Sequence, residues 1–283
     1  HDEGTGSPLL FVHGFPLDHT MWQGQLSAFA KDYRVIAPDL TGFGKSDPLT
    51  ENEYRMEQFA DDLAEMLRQL QIDEPVIFCG LSMGGYIALQ FWRNHRQLVR
   101  QLIFCDTKAT ADTEEIARGR RYIANQVVRE GSGAIAKGML GRLFGKESMS
   151  LPNPVVAATE EVMRSTAPTS IAAAQRGMAA RPDMMAELSQ IAVPTLVVVG
   201  EEDAISTVAE MESMANAISN ARFQRIDNAG HMAPLEQPEK VNDREVFVNR
   251  HWGKEDQPPV YLLHVDDGSW AIKYVARGSM ADE

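Results

Sequence analysis

Ser82 lies within the run Gly80-Leu81-Ser82-Met83-Gly84, and the surrounding residues have the layout that nucleophilic catalysis by serine requires. The apolar stretch 76–79 reads as a buried strand, and 83–94, with Ile87, Leu89, Phe91 and Trp92, reads as a helix. A serine on the sharp turn between them projects its hydroxyl, while Gly80 and Gly84 leave room for strand and helix to approach. That hydroxyl is a weak nucleophile until a base takes its proton, so a histidine has to be found. Of the seven histidines, His1 is terminal, His19, His95 and His251 fall in helical or loop stretches, and His264 sits in the tail. His231 differs: it follows the strand 221–226 in a loop that Gly230 and Pro234 keep tight and non-helical, and it is the expected base.

The base in turn needs a carboxylate to fix its tautomer and stabilise the imidazolium. Asp203 is the expected acid, carried past the end of the strand 195–199 by the Gly200 turn, with Glu201 and Glu202 facing solvent. Asp106, at the end of the strand 99–105, is the rival, its other reading being a cap on the loop that follows. Stabilising the oxyanion takes further donors, each worth about 2.7–4 kcal/mol. The expected pair are the backbone N–H groups of Met83, just after the nucleophile, and of Phe15, in the loop His13-Gly14-Phe15-Pro16. His13 ends a buried strand, where its ring would hold that loop rather than react.

Positioning these groups requires parallel strands ending along one edge. Apolar runs at 8–12, 33–37, 75–79, 99–105, 195–199 and 221–226 alternate with helical patterns at 56–70, 83–94, 208–217 and 236–252. Near-continuous apolar strands alternating with helices predict an α/β fold: a mostly parallel central sheet covered by helices on both faces. The alternation stops between residues 107 and 188, which read as short helices inserted as a cap. The core is then 1–106 together with 189–283.

The chain has 283 residues and carries 27 Lys+Arg against 40 Asp+Glu, a formal net charge of −13. Nucleic acid and anionic membranes are repelled by that balance and are not expected partners. No apolar run approaches the about 20 residues that span a bilayer. Residues 1–6 lack the layout of a signal peptide, and Cys79 and Cys105 read as buried free thiols, so a cytoplasmic setting is expected.

Taken together, the segments 13–22 and 37–46, the glycines and serine at 80–85, the acid turn at 200–203 and Gly230-His231 resemble the α/β-hydrolase fold superfamily, in its branch of small capped esterases and enol-lactonase-like enzymes. The motifs fall in the order Ser, acid, His. The resemblance implies acyl transfer to water through a serine ester, without metal or organic cofactor. Related dehalogenases and epoxide hydrolases carry Asp at the nucleophile position, so Ser82 argues against both activities. Asp39 and Ser46 fall in a turn that is structural in the family. Trp22, Met139, Leu143 and Met178, beside Phe15 and Met83, are the candidate lining of an apolar substrate pocket, with core packing as the alternative for each.

The tail departs from the family pattern. Only eight residues precede Leu9, too few for the family's two opening strands, whereas the residues at 260–276 read as a β-hairpin around Asp266-Asp267-Gly268, after a linker at 253–259. The expectation is a circular permutation in which this hairpin replaces the missing strands. An unrelated appendage and an exchange between two copies in a homodimer are the alternatives to it. The reading as a whole is a serine hydrolase cleaving small aliphatic or aryl carboxylic esters. A lactonase or carbon–carbon bond hydrolase with the same residues is the alternative, and a non-catalytic ligand-binding protein is the reading from another class.

Overall fold

A computed structural model describes residues 1–243, 260–264 and 270–274. The strands of the main sheet are β1 (Asp2–Glu3), β2 (Pro8–Val12), β3 (Arg34–Ile36), β4 (Val76–Leu81), β5 (Val99–Cys105), β6 (Thr195–Gly200) and β7 (Ala221–Ile226). Their order is β1-β3-β2-β4-β5-β6-β7, with β1 antiparallel to β3 and every other pairing parallel. The helices between them are α1 (Gln23–Phe29), α2 (Met56–Gln69), α3 (Met83–His95) and α9 (Val208–Asn216). This is the mostly parallel α/β architecture expected from the alternation of strands and helices.

Each element follows from its residues. All of β2, β4 and β6 is buried, as strands covered on both faces must be. Helix α2 buries Met56, Phe59, Ala60, Leu63 and Leu67, at three- and four-residue steps, and leaves its charged side outside. Helix α3 is buried from Met83 through Trp92 because it lies behind the nucleophile turn, where Phe91 packs on Phe78 with ring centroids 5.1 Å apart. Thr207 caps α9 by accepting from Glu210 N–H while Glu210 accepts from Thr207 N–H.

The stretch 107–188 contains α4 (Glu114–Glu130), α5 (Ser132–Leu143), α6 (Lys146–Ser150), α7 (Pro154–Ser165) and α8 (Pro168–Ala179), with a 3₁₀ segment beginning at Met185. Residues 1–242 form one compact unit. No helix among the described residues is long and apolar enough to cross a membrane.

After β7 the chain forms two helical turns, α10 (Ala233–Glu236) and α11 (Pro238–Val241), while most of the helix expected over 236–252, from residue 244 on, lies outside the described residues. Pro238 has no N–H to continue α10, and Gln237 between the turns leaves the helical region at φ −132°, ψ 58°. Strands β8 (Val260–His264) and β9 (Trp270–Tyr274) pair antiparallel with each other, Val260 opposite Tyr274 and His264 opposite Trp270. The linker 253–259 and the turn at Asp266-Asp267-Gly268, on which the expectation of a permuted origin leans, lie outside the described residues.

Parallel pairing brings the C-terminal ends of β2, β4, β5, β6 and β7 to one edge, where α/β sheets bind their ligands. The register sets Val12 beside Gly80, Leu81 beside Cys105, Cys105 beside Val198 and Gly200 beside Ile226. Replacing the fully buried Phe78 by Ala is expected to cost about 3–5 kcal/mol. Ile116→Ala, at an exposed position, should stay within about 0.5 kcal/mol of the parent. Urea denaturation of both variants checks the pair.

Candidate active site

Strand β4 continues to Leu81, so the chain turns into α3 at one residue, Ser82, whose backbone adopts φ +54°, ψ −113°. Such a conformation costs of order 1–3 kcal/mol and persists only where its surroundings over-determine it. Here Ser82 N–H donates to Cys105 O at 2.9 Å, and Ser82 O accepts from Gly85 N–H at 2.9 Å and Thr107 Oγ at 2.7 Å. A side chain at Gly80 would run into Gly84 O, and one at Gly84 into Val12 O. The two flanking glycines are therefore demanded by backbone approaching backbone.

Ser82 Oγ lies 2.8 Å from His231 Nε2, and His231 Nδ1 lies 2.8 Å from Asp203 Oδ2. With a carboxylate against Nδ1, the proton sits on that nitrogen and Nε2 is left to accept from the serine hydroxyl. Asp203 Oδ1 accepts from the N–H groups of Ile205 at 2.7 Å and Ser206 at 3.0 Å, which fixes the carboxylate's orientation. Histidine and acid are both buried, whereas Ser82 is half-exposed. The three side chains, which lie 28 and 149 residues apart in sequence, thus form one hydrogen-bonded row.

Asp106 does not touch His231. It is completely buried at φ +46°, its Oδ1 accepts from Gly200 N–H at 2.8 Å, and its Oδ2 has no partner among the described residues. Burial first, and then the neighbouring Asp203 charge, push its carboxyl well above the usual carboxylate range, so it ties β5 to the acid loop as a neutral group. His13 is neutral too, because burial lowers its pKa. Its Nδ1–H donates to Gly14 O at 3.0 Å and its Nε2 accepts from Leu40 N–H at 3.1 Å, an arrangement that holds the loop carrying Phe15.

The N–H groups of Phe15 and Met83 have no acceptor among the described residues. Other expected contacts are dispersed. Trp22 is fully buried against Phe11, with centroids 5.1 Å apart, which makes it a packing residue rather than a pocket wall. Met178 is buried with its sulfur against Arg120, Met139 is half-buried on the core, and the carbonyl of buried Leu143 accepts from Met232 N–H at 3.0 Å. Asp39 accepts from the His19 and Lys45 N–H groups, both at 2.9 Å, consistent with a turn-holding role. Thr107 and Glu236 bear directly on the site although the sequence does not point to either: Thr107 donates to Ser82 O, 25 positions away, and Glu236 accepts from nearby Gly230 and from Gly145 and Ser148, 91 and 88 positions away.

A model of the alpha/beta hydrolase fold matches residues 7–238. The chain belongs to this family. Among its relatives is 3-oxoadipate enol-lactonase 1 of Acinetobacter baylyi, 30% identical over 234 residues that span 82% of this chain and 84% of that protein. Another is 2-hydroxy-6-oxo-6-(2'-aminophenyl)hexa-2,4-dienoic acid hydrolase of Metapseudomonas resinovorans, 28% identical over 88% of this chain and 86% of its own. Among solved structures, a thermophilic esterase from Thermogutta terrifontis superposes with a TM-score of 0.84 at 44% identity, covering 87% of this alpha/beta hydrolase and 90% of the esterase.

The raised pKa of Asp106 has a thermodynamic consequence. Above pH about 4 the unfolded chain loses this proton while the folded protein keeps it. The folded state therefore binds more protons, and this group's contribution makes stability fall as pH rises through that interval. Asp106→Asn is expected to flatten the decline in Tm measured between about pH 5 and pH 8. A variant whose Tm falls as steeply as that of the parent contradicts the assignment.

Proposed function

We propose that this alpha/beta hydrolase is a serine esterase acting on small carboxylic esters. The observation that carries the reading is the unbroken row from Asp203 through His231 to the hydroxyl of half-buried Ser82, with 2.8 Å at both links. Ser82 Oγ attacks the ester carbonyl carbon as His231 Nε2 takes its proton. The carbonyl electrons move onto oxygen, and that oxyanion accepts from Phe15 and Met83 N–H, donors without an acceptor among the described residues. Collapse breaks the bond to the leaving oxygen, which receives the proton from His231 and departs as alcohol. Water then attacks the Ser82 ester as His231 accepts one of its protons. The second collapse returns that proton to Ser82 Oγ and releases the carboxylic acid. Throughout, Asp203 orients the imidazole and stabilises its charged form.

The first step of this scheme needs no feature unique to open-chain esters, because a lactone is an ester closed on itself. The names of two relatives, an enol-lactonase and a dienoic acid hydrolase, support lactone opening or carbon–carbon cleavage as the second reading. In either case α4–α8 form the cap that selects the substrate, with Met139, Leu143 and Met178 contributing apolar surface.

Hydrolysis of p-nitrophenyl acetate is expected to fall about a millionfold in kcat for Ser82→Ala, and about ten-thousandfold for Asp203→Asn. Equal release by parent and Ser82→Ala contradicts the proposal. A panel of acyl chain lengths and lactones, compared by kcat/KM, separates the two substrate readings.

A further inference from the structure

One carboxylate joins the histidine loop to the inserted helices. Glu236, five residues after His231, accepts from Gly230 N–H on Oε1 at 2.7 Å. Its Oε2 accepts from Gly145 N–H at 2.8 Å and from Ser148 Oγ at 2.7 Å. The donors are two amides and a hydroxyl, and no cation among the described residues pairs with it. Hydrogen bonds from backbone amides to a carboxylate are among the stronger kind, and here one carboxylate spans two chain segments 85 residues apart, at 145 and 230.

The surroundings show that this bridge sets a position. His231 is gripped from both sides: Gly230 N–H goes to Glu236, and Met232 N–H goes to Leu143 O at 3.0 Å. Even a methyl group at Gly230 would lie 2.6 Å from Gly145 N and 2.8 Å from the Phe144 carbonyl carbon. The segment 143–148 therefore rests backbone to backbone on the loop that carries the base. It reaches the acid loop as well, since Lys146 N–H donates to Glu202 Oε2 at 2.7 Å, one residue before Asp203. Half-buried Glu236 is the only side chain among the described residues that accepts from both Gly145 and Gly230.

We propose that Glu236 is a positioning residue for the reaction: its carboxylate braces Gly230 against Gly145 and Ser148, and so keeps His231 Nε2 in line with Ser82 Oγ. The role rests on the reading of Ser82 and His231 as nucleophile and base. It makes the geometry of the base depend on the placement of the 143–148 segment, which joins α5 to α6.

Displacing a base by about an ångström costs on the order of a hundredfold in rate while leaving substrate binding intact. The test is steady-state hydrolysis of p-nitrophenyl acetate by the parent, Glu236→Ala, Glu236→Gln and Ser82→Ala; rates of the proteins that keep Ser82 are expressed per Ser82 titrated to completion by a fluorophosphonate, so that unfolded protein is not counted, and that of Ser82→Ala per total protein. Glu236→Ala is expected to lose roughly tenfold to a hundredfold in kcat with KM unchanged. Glu236→Gln keeps one acceptor oxygen but turns an NH2 toward the other donors, so its kcat should fall between those of Glu236→Ala and the parent. It also decides the matter if the alanine variant does not fold. Parent-like kcat in both Glu236 variants, or a loss confined to KM, overturns the role of Glu236 while leaving an inactive Ser82→Ala to uphold the esterase reading. Activity surviving in Ser82→Ala overturns both.

Discussion

The reversal of the chain at Ser82 is the constraint on which the site depends. A buried strand passes into a buried helix through a single residue at positive φ, and there is no slack on any side. Gly80 meets Gly84, Gly84 meets the β2 backbone, and Gly85 lies against the Thr107 side chain, which in turn donates to Ser82 O. Because these contacts join β2, β4, α3 and the start of the inserted segment, the serine hydroxyl inherits the rigidity of the sheet. The energy stored in its backbone is held by strand pairing that continues to Leu81 opposite Cys105.

Two buried aspartates close to the site divide their roles by hydrogen bonding. Asp203 has both oxygens engaged, one by two backbone N–H groups and the other by His231. Asp106 receives a single N–H and has no partner for its other oxygen among the described residues, and burial, then the Asp203 charge, push its carboxyl well above the usual range. A second negative charge beside Asp203 would be unpaired in a low-dielectric interior, and protonation of Asp106 avoids it. Of the two candidate acids, Asp203 is the one hydrogen-bonded to His231 among the described residues, which is what the proposed mechanism requires of it.

The features legible in the sequence are those whose determinants are local. The strands β2, β5 and β7 have the expected bounds, although β7, with Arg222, Gln224 and Arg225, is buried only at Ile226, and the glycines around Ser82 mark the turn because sterics demand them within five residues. His231 was legible from its strand-end loop, and Asp203 from the Gly200 turn. Elements without a burial pattern are not legible: β1 is two exposed charged residues whose pairing depends on β3, Asp2 lying opposite Ile36 and Glu3 opposite Val35. Trp22 reads from the sequence as a candidate pocket residue, yet it is fully buried against Phe11. Glu236 and Thr107 were silent because a hydrogen bond between distant segments leaves no periodic or spacing signal.

In the proposed reaction Ser82 is the residue that becomes covalently acylated, with His231 as its base. Labelling with a fluorophosphonate followed by peptide mass mapping should give a single adduct on the peptide containing Ser82, formed by the parent and suppressed in His231→Ala. An adduct on another residue, or ester turnover by a protein whose Ser82 never becomes labelled, would contradict it.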